Sequence, residues 1–106
     1  MLVSLVIDDV AFDLVHDVDV DGDAFLVECE LGPPPQSEET LLSLLQANMQ
    51  MLRREHGSFG LRRDGDTVLV THGIYQSLTE VHATALRGTM QTLAHRALVW
   101  RTGASF

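Results

Sequence analysis

Gly32-Pro33-Pro34-Pro35 ends the run of strands with which this chain opens. Proline lacks the N–H that a sheet ladder needs and fixes φ, so strand pairing ends there. Upstream, the pattern has a period of two. Leu2 to Ile7 is rich in Val, Leu and Ile, Asp8-Asp9 interrupts it, and Val10, Phe12 and Leu14 then alternate with Ala11, Asp13 and Val15. The alternation runs on through Val18 and Val20, with Asp17, Asp19 and Asp21 opposite. Such a strand has one apolar face and one row of carboxylates. Asp21-Gly22-Asp23 supplies a turn, and Ala24 to Leu31 follows as a further strand with Phe25, Val27 and Cys29 on one face. A three-stranded antiparallel meander is expected.

Downstream, the period changes. Ser37 is a suitable N-cap, and Glu38 and Glu39 complement the helix dipole. Leu41, Leu42, Leu44, Leu45, Met49 and Leu52 recur at helical spacing until Gly57, which predicts a helix from Glu38 to about Arg54. Phe59 to Arg63 and Thr67 to Thr71 flank Asp64-Gly65 as a hairpin, with a loop through Gly73 to Gln76. Ser77 and Glu80 match a capping box. Val81, Leu86, Met90, Leu93, Ala97 and Trp100 then stripe a second helix. The expected fold is a single α+β domain over residues 1–106, an antiparallel sheet packed with two helices in the order β-β-β-α-β-β-α.

Charge narrows the function. Residues 1–50 hold eleven carboxylates and no Lys or Arg, while the rest carry seven Arg against four carboxylates. Phosphate backbones and anionic lipid surfaces bind through Lys and Arg, so nucleic acid and membrane are poor partners for so acidic a half-chain. At 45% hydrophobic residues, the chain has material for one modest core. Cys29, the single cysteine, sits in an apolar strand pattern and reads as a small buried hydrophobe. The apolar opening is too short for a signal peptide or a membrane span, and a reducing cytosol fits the cysteine usage.

Chemistry is sparse. Asp17, Asp19, Asp21, Gly22 and Glu28 match the calcium-loop pattern letter for letter, which makes a small calcium-binding module the alternative function. The flanks, however, read as strands where that motif needs helices. The five histidines are scattered, without the converging ligands a zinc site requires. Ser58 near His56 lacks a nucleophile elbow and an oxyanion hole. No catalytic, metal or cofactor site is expected. What remains is apolar surface, because short strands cannot bury every leucine and methionine of the first helix.

The pattern resembles the class I type III secretion chaperones, the Tir chaperone or CesT-type family. The matching stretches are Leu5-Val6-Ile7-Asp8-Asp9, Leu31-Gly32-Pro33-Pro34, Leu41 to Asn48, and Gly57-Ser58-Phe59-Gly60-Leu61 with the Asp64-Gly65 turn. The Trp100-ended helix completes them. The resemblance implies a cytoplasmic bacterial homodimer that binds an extended N-terminal segment of a secreted effector without nucleotide or catalysis. It places the dimer seam at Leu42, Leu45, Met49 and Leu52, and effector contacts at Phe59, Leu61, Val68 and Val70. Members of the family begin with an amphipathic helix. This chain opens almost directly in the first strand, so that helix is expected to be absent, truncated or replaced by a partner's cover.

Overall fold

A computed structural model describes residues 2–16, 18–19, 22–34, 36–53 and 57–102, with the side chains of Leu52, Arg53 and Asp64 outside the description. Five strands and two helices follow in the expected order: β1 (Leu2–Ile7), β2 (Val10–Val15), β3 (Ala24–Gly32), α1 (Glu38–Arg53), β4 (Ser58–Asp64), β5 (Thr67–Ser77) and α2 (Ala83–Arg101). All strands join one antiparallel sheet in the spatial order β1-β2-β3-β5-β4. The hairpin therefore enters the sheet with its second strand against β3.

Local chemistry accounts for the turns. Asp8 and Asp9 both adopt positive φ, at 52° and 65°, so Ile7 pairs with Val10 across a two-residue turn. Aspartate tolerates that region better than most side chains, and two left-handed residues match the twist of the flanking strands. The Ser37 hydroxyl accepts from the Thr40 amide at 3.0 Å and caps α1 as its type predicts.

The core lies on one face of the sheet. Val10 and Phe12 of β2, with Phe25, Val27, Cys29 and Leu31 of β3, alternate inward. They meet Met90, Leu93, Ala94 and Ala97 of α2. Leu44 and Met51 bring α1 to the same face, where the Arg96 guanidinium of α2 lies 3.5 Å from the Met51 sulfur. Burial pushes the Cys29 thiol up to about 12, which keeps it protonated and unreactive at neutral pH. Arg101 closes the far end of α2 by donating to the carbonyls of Leu31, Asp9 and Glu30.

Three expectations are corrected. The alternation through Val18 does not extend β2, which ends at Val15; Val18 lies in a turn and is exposed. Asp17, Val20 and Asp21 lie outside the described residues. Gly73 to Gln76 is strand rather than loop, because β3 offers an unbroken ladder from Ala24 to Glu30 that pairs with β5 from Thr71 to Ser77. Ser77 consequently ends β5 instead of capping α2. Its hydroxyl donates to Asp23 at 2.8 Å, the Thr79 amide donates to the same carboxylate at 3.2 Å, and α2 starts six residues later.

Two glycines with opposite surroundings test this packing. Gly57 has φ +88°, and a Cβ there would collide with the Gly73 carbonyl oxygen. Gly57→Ala should lower stability by about 1–3 kcal/mol in urea titration. Gly88 lies within α2 with nothing near its Cβ direction, so Gly88→Ala should raise stability by about 0.5–1 kcal/mol. The Ser77 hydroxyl, ahead of the other influences, holds the Asp23 carboxyl below the usual range. A lowered folded-state pKa stabilises the fold above the unfolded value and loses that contribution as pH falls. The urea midpoints of wild type and Asp23→Ala should therefore differ most above about pH 5, and the difference should shrink as pH falls below about 4.

Candidate partner-binding surfaces

Helix α1 carries two apolar stripes. Leu44, Ala47 and Met51, spaced i, i+3 and i+7, face inward. Leu42, Leu45 and Met49 repeat the same spacing on the outward side, and with Leu41 they are 45–59% exposed. One stripe suffices for a helix packed on one side; among the described residues, nothing covers the second. Three of the residues expected at a dimer seam therefore lie on one open surface. The side chain of the fourth, Leu52, falls outside the described residues.

Asn48 sits between the stripes and fixes where α1 rests. Its carboxamide oxygen accepts from the Phe59 amide at 2.8 Å, and its nitrogen donates to the Phe59 carbonyl at 3.4 Å. A single side chain thus satisfies both backbone groups of one β4 residue, as a neighbouring strand would.

The four residues expected to contact effector divide. Leu61 is 69% exposed and Val68 half-buried. Phe59 and Val70 are core, at 8% and 0% exposure. Phe59 stacks obliquely on the fully buried His72, with ring centroids 4.9 Å apart. The correction has a physical reason. Leu61 faces the same way as Phe59 along β4 but lies two residues beyond the Asn48 anchor, so position along the strand decides which is covered.

On the opposite face of the sheet lies an ionic network that the residue pattern did not disclose. The Arg62 guanidinium of β4 reaches over β5 to Asp13 on β2 at 2.9 Å, Glu28 on β3 at 3.0 Å, and Glu30. Thr71 and Gly73 on β5, and Gly60 beside Arg62 on β4, present small side chains or none along this path. Asp13 also accepts from the Ser4 hydroxyl at 2.7 Å. Only the acidic half of the network could be read in advance, as carboxylates alternating along strands. Its cation comes from another part of the chain. The network also bears on the calcium pattern, since Glu28 is engaged by Arg62 and the flanking elements are strands. Among the described residues no group of His, Cys, Asp and Glu is arranged to hold a metal ion, and no helix is long and apolar enough to cross a membrane.

Compared by sequence, the chain matches no family model, and no significant match is found among curated proteins. Solved structures do match. A chain of the ExsC–ExsE complex superposes with a TM-score of 0.74 at 17% identity, covering 98% of this chain and 76% of that one. The Yersinia pestis type III secretion chaperone SycH, in complex with a stable fragment of YscM2, superposes at 0.68 and 14% identity, covering 92% of this chain and 78% of that one. The fold is that of the type III secretion chaperones. The α+β class and the element order β-β-β-α-β-β-α are those expected from the resemblance. Its narrower assignment to the Tir chaperone, or CesT-type, group stays an expectation.

The network generates a prediction about the outer face. Arg62→Ala leaves three carboxylates clustered without their cation. It should cost about 1–2 kcal/mol in urea titration at low salt, more than a single exposed pair. Screening relieves the remaining repulsion, so the deficit should shrink near 1 M NaCl.

Proposed function

We propose that this protein is a type III secretion chaperone that dimerises through α1 and holds an extended segment of a secreted effector in a soluble, secretion-competent state. It acts by binding, without catalysis or cofactor, in the bacterial cytoplasm. The observation that carries this reading is the second, outward apolar stripe of α1, on a chain with the fold of such chaperones.

The energetics favour a second copy as the cover of that stripe. Leucine and methionine side chains each gain about 1.5–3 kcal/mol on full burial. A symmetric pair of α1 helices covers both copies of the stripe at once, with each helix supplying the other's partner surface. Leu61 and Val68, the open members of the expected contact set, are then available to an effector segment. Such a segment brings little structure of its own, so it gains most from sites that take side chains singly along an extended backbone.

Light scattering at micromolar concentration should give the mass of a dimer, and Leu45→Glu or Met49→Glu should give a monomer. A charge at the centre of an apolar seam weakens dimerisation by at least about 100-fold. These exposed positions leave the core intact, so the far-ultraviolet circular dichroism of the variants should stay unchanged. A wild-type protein that remains monomeric at high micromolar concentration contradicts the proposal. So does failure to keep soluble the N-terminal segment of a type III effector encoded beside this gene.

A further inference from the structure

Both helices pack on one face of the sheet, and among the described residues nothing covers the other. An antiparallel sheet with one wet face ordinarily presents polar side chains there. This one does not do so uniformly. Leu2 pairs with Val15, Val15 with Leu26 and Leu26 with Tyr75, so four apolar or aromatic side chains line up across β1, β2, β3 and β5. The outer members, Leu2 and Tyr75, are 63% and 64% exposed. The adjacent row, two residues along each strand, runs Ser4, Asp13, Glu28, Gly73 and Ser58. With Glu30 it places three carboxylates against the one guanidinium of Arg62, leaving a net charge of −2.

We propose that this outer face is a docking track for an extended partner segment that carries apolar side chains beside at least one arginine or lysine. The proposal rests on the chaperone reading above and specifies the chemistry of the segment held. Four strands at about 4.8 Å spacing make the apolar row roughly 14 Å wide, a span that four or five extended residues cover. The acidic row lies about 7 Å away, within reach of a lysine or arginine side chain from a backbone lying over the apolar row. Arg62 gathers the three carboxylates without neutralising them. An incoming cation finds oriented acceptors already desolvated in part, with side chains 23–33% exposed. A second copy of this chain is disfavoured as occupant, because the face it would meet carries the same excess of carboxylates.

Two fluorescein-labelled peptides of roughly twelve residues, built from Val, Leu, Thr and Pro and differing only in carrying Arg or Glu, test the track by anisotropy at low salt. The Arg peptide should bind, and the Glu peptide at least about 10-fold more weakly. The double variant Leu2→Ser/Tyr75→Ser should weaken the Arg peptide at least about 10-fold. Glu28→Gln/Glu30→Gln should weaken it about 5-fold or more and reduce its salt dependence. Leu98→Ser, at an exposed position of α2 on the helix-bearing side, should leave its affinity unchanged. Equal affinity for the two peptides, or wild-type binding by the Leu2→Ser/Tyr75→Ser variant, overturns the track. A dimer whose peptide binding depends on Leu61 alone removes the track and leaves the chaperone reading standing. A monomer whose binding still depends on Leu2 and Tyr75 does the reverse.

Discussion

The pairing of β3 with β5 is the constraint on which the rest of this molecule depends. Without it the chain would be a meander and a hairpin, each too small to bury a helix. The eleven residues of β5 run from the β4–β5 turn to Ser77 and join β3 along most of its length. This ladder places His72 opposite Cys29 and Ile74 opposite Val27, continuing the inward face of the meander across to Phe59. It also brings Ser77 to Asp23, which closes the end of the sheet and determines where α2 can begin. Small residues at the junction permit close approach. The Leu26 side chain lies 3.1 Å from where a Cβ of Gly73 would sit, and the Gly73 carbonyl oxygen takes the space of a Cβ at Gly57.

The two faces of the sheet then serve different ends. The inner face pairs strand alternation with the buried side of α2 and supplies the cohesion of the domain. The outer face carries charge, and its organisation depends on one arginine from the basic half of the chain reaching the acidic half. The sheet order makes that reach short, since only β5 separates β4 from β3. An excess of surface charge of one sign opposes self-association where apolar patches are exposed. Here the patches lie apart from one another: the outward stripe of α1 on the helix side, and the row ending in Leu2 and Tyr75 on the other.

Much of this was legible in the residues. Alternation in Val10 to Leu14 and Ala24 to Leu31 reported strands half-buried on one face, and the leucine spacing after Ser37 reported α1 almost to the residue. Asp64-Gly65 reported the hairpin. The errors share a cause. Gly73 to Gln76 look like a loop because their partners on β3, Glu28 to Phe25, lie 45 to 51 residues earlier in the sequence. Ser77 and Glu80 look like a capping box because local spacing says nothing of Asp23. Phe59 and Leu61 were indistinguishable as contact residues until Asn48 anchored α1 over one and not the other.

By itself the sequence determined the kinds of element, their order, the excess of apolar surface on α1 and the acidity of the first half. All of these follow from spacing and composition within about twenty residues, the range over which helix and strand periods operate. Tertiary structure decided which apolar residues stay exposed, how Arg62 meets Asp13, Glu28 and Glu30, and that the described residues leave one face of the sheet uncovered. Those outcomes depend on strand order and register, which arise from contacts between segments far apart in the chain.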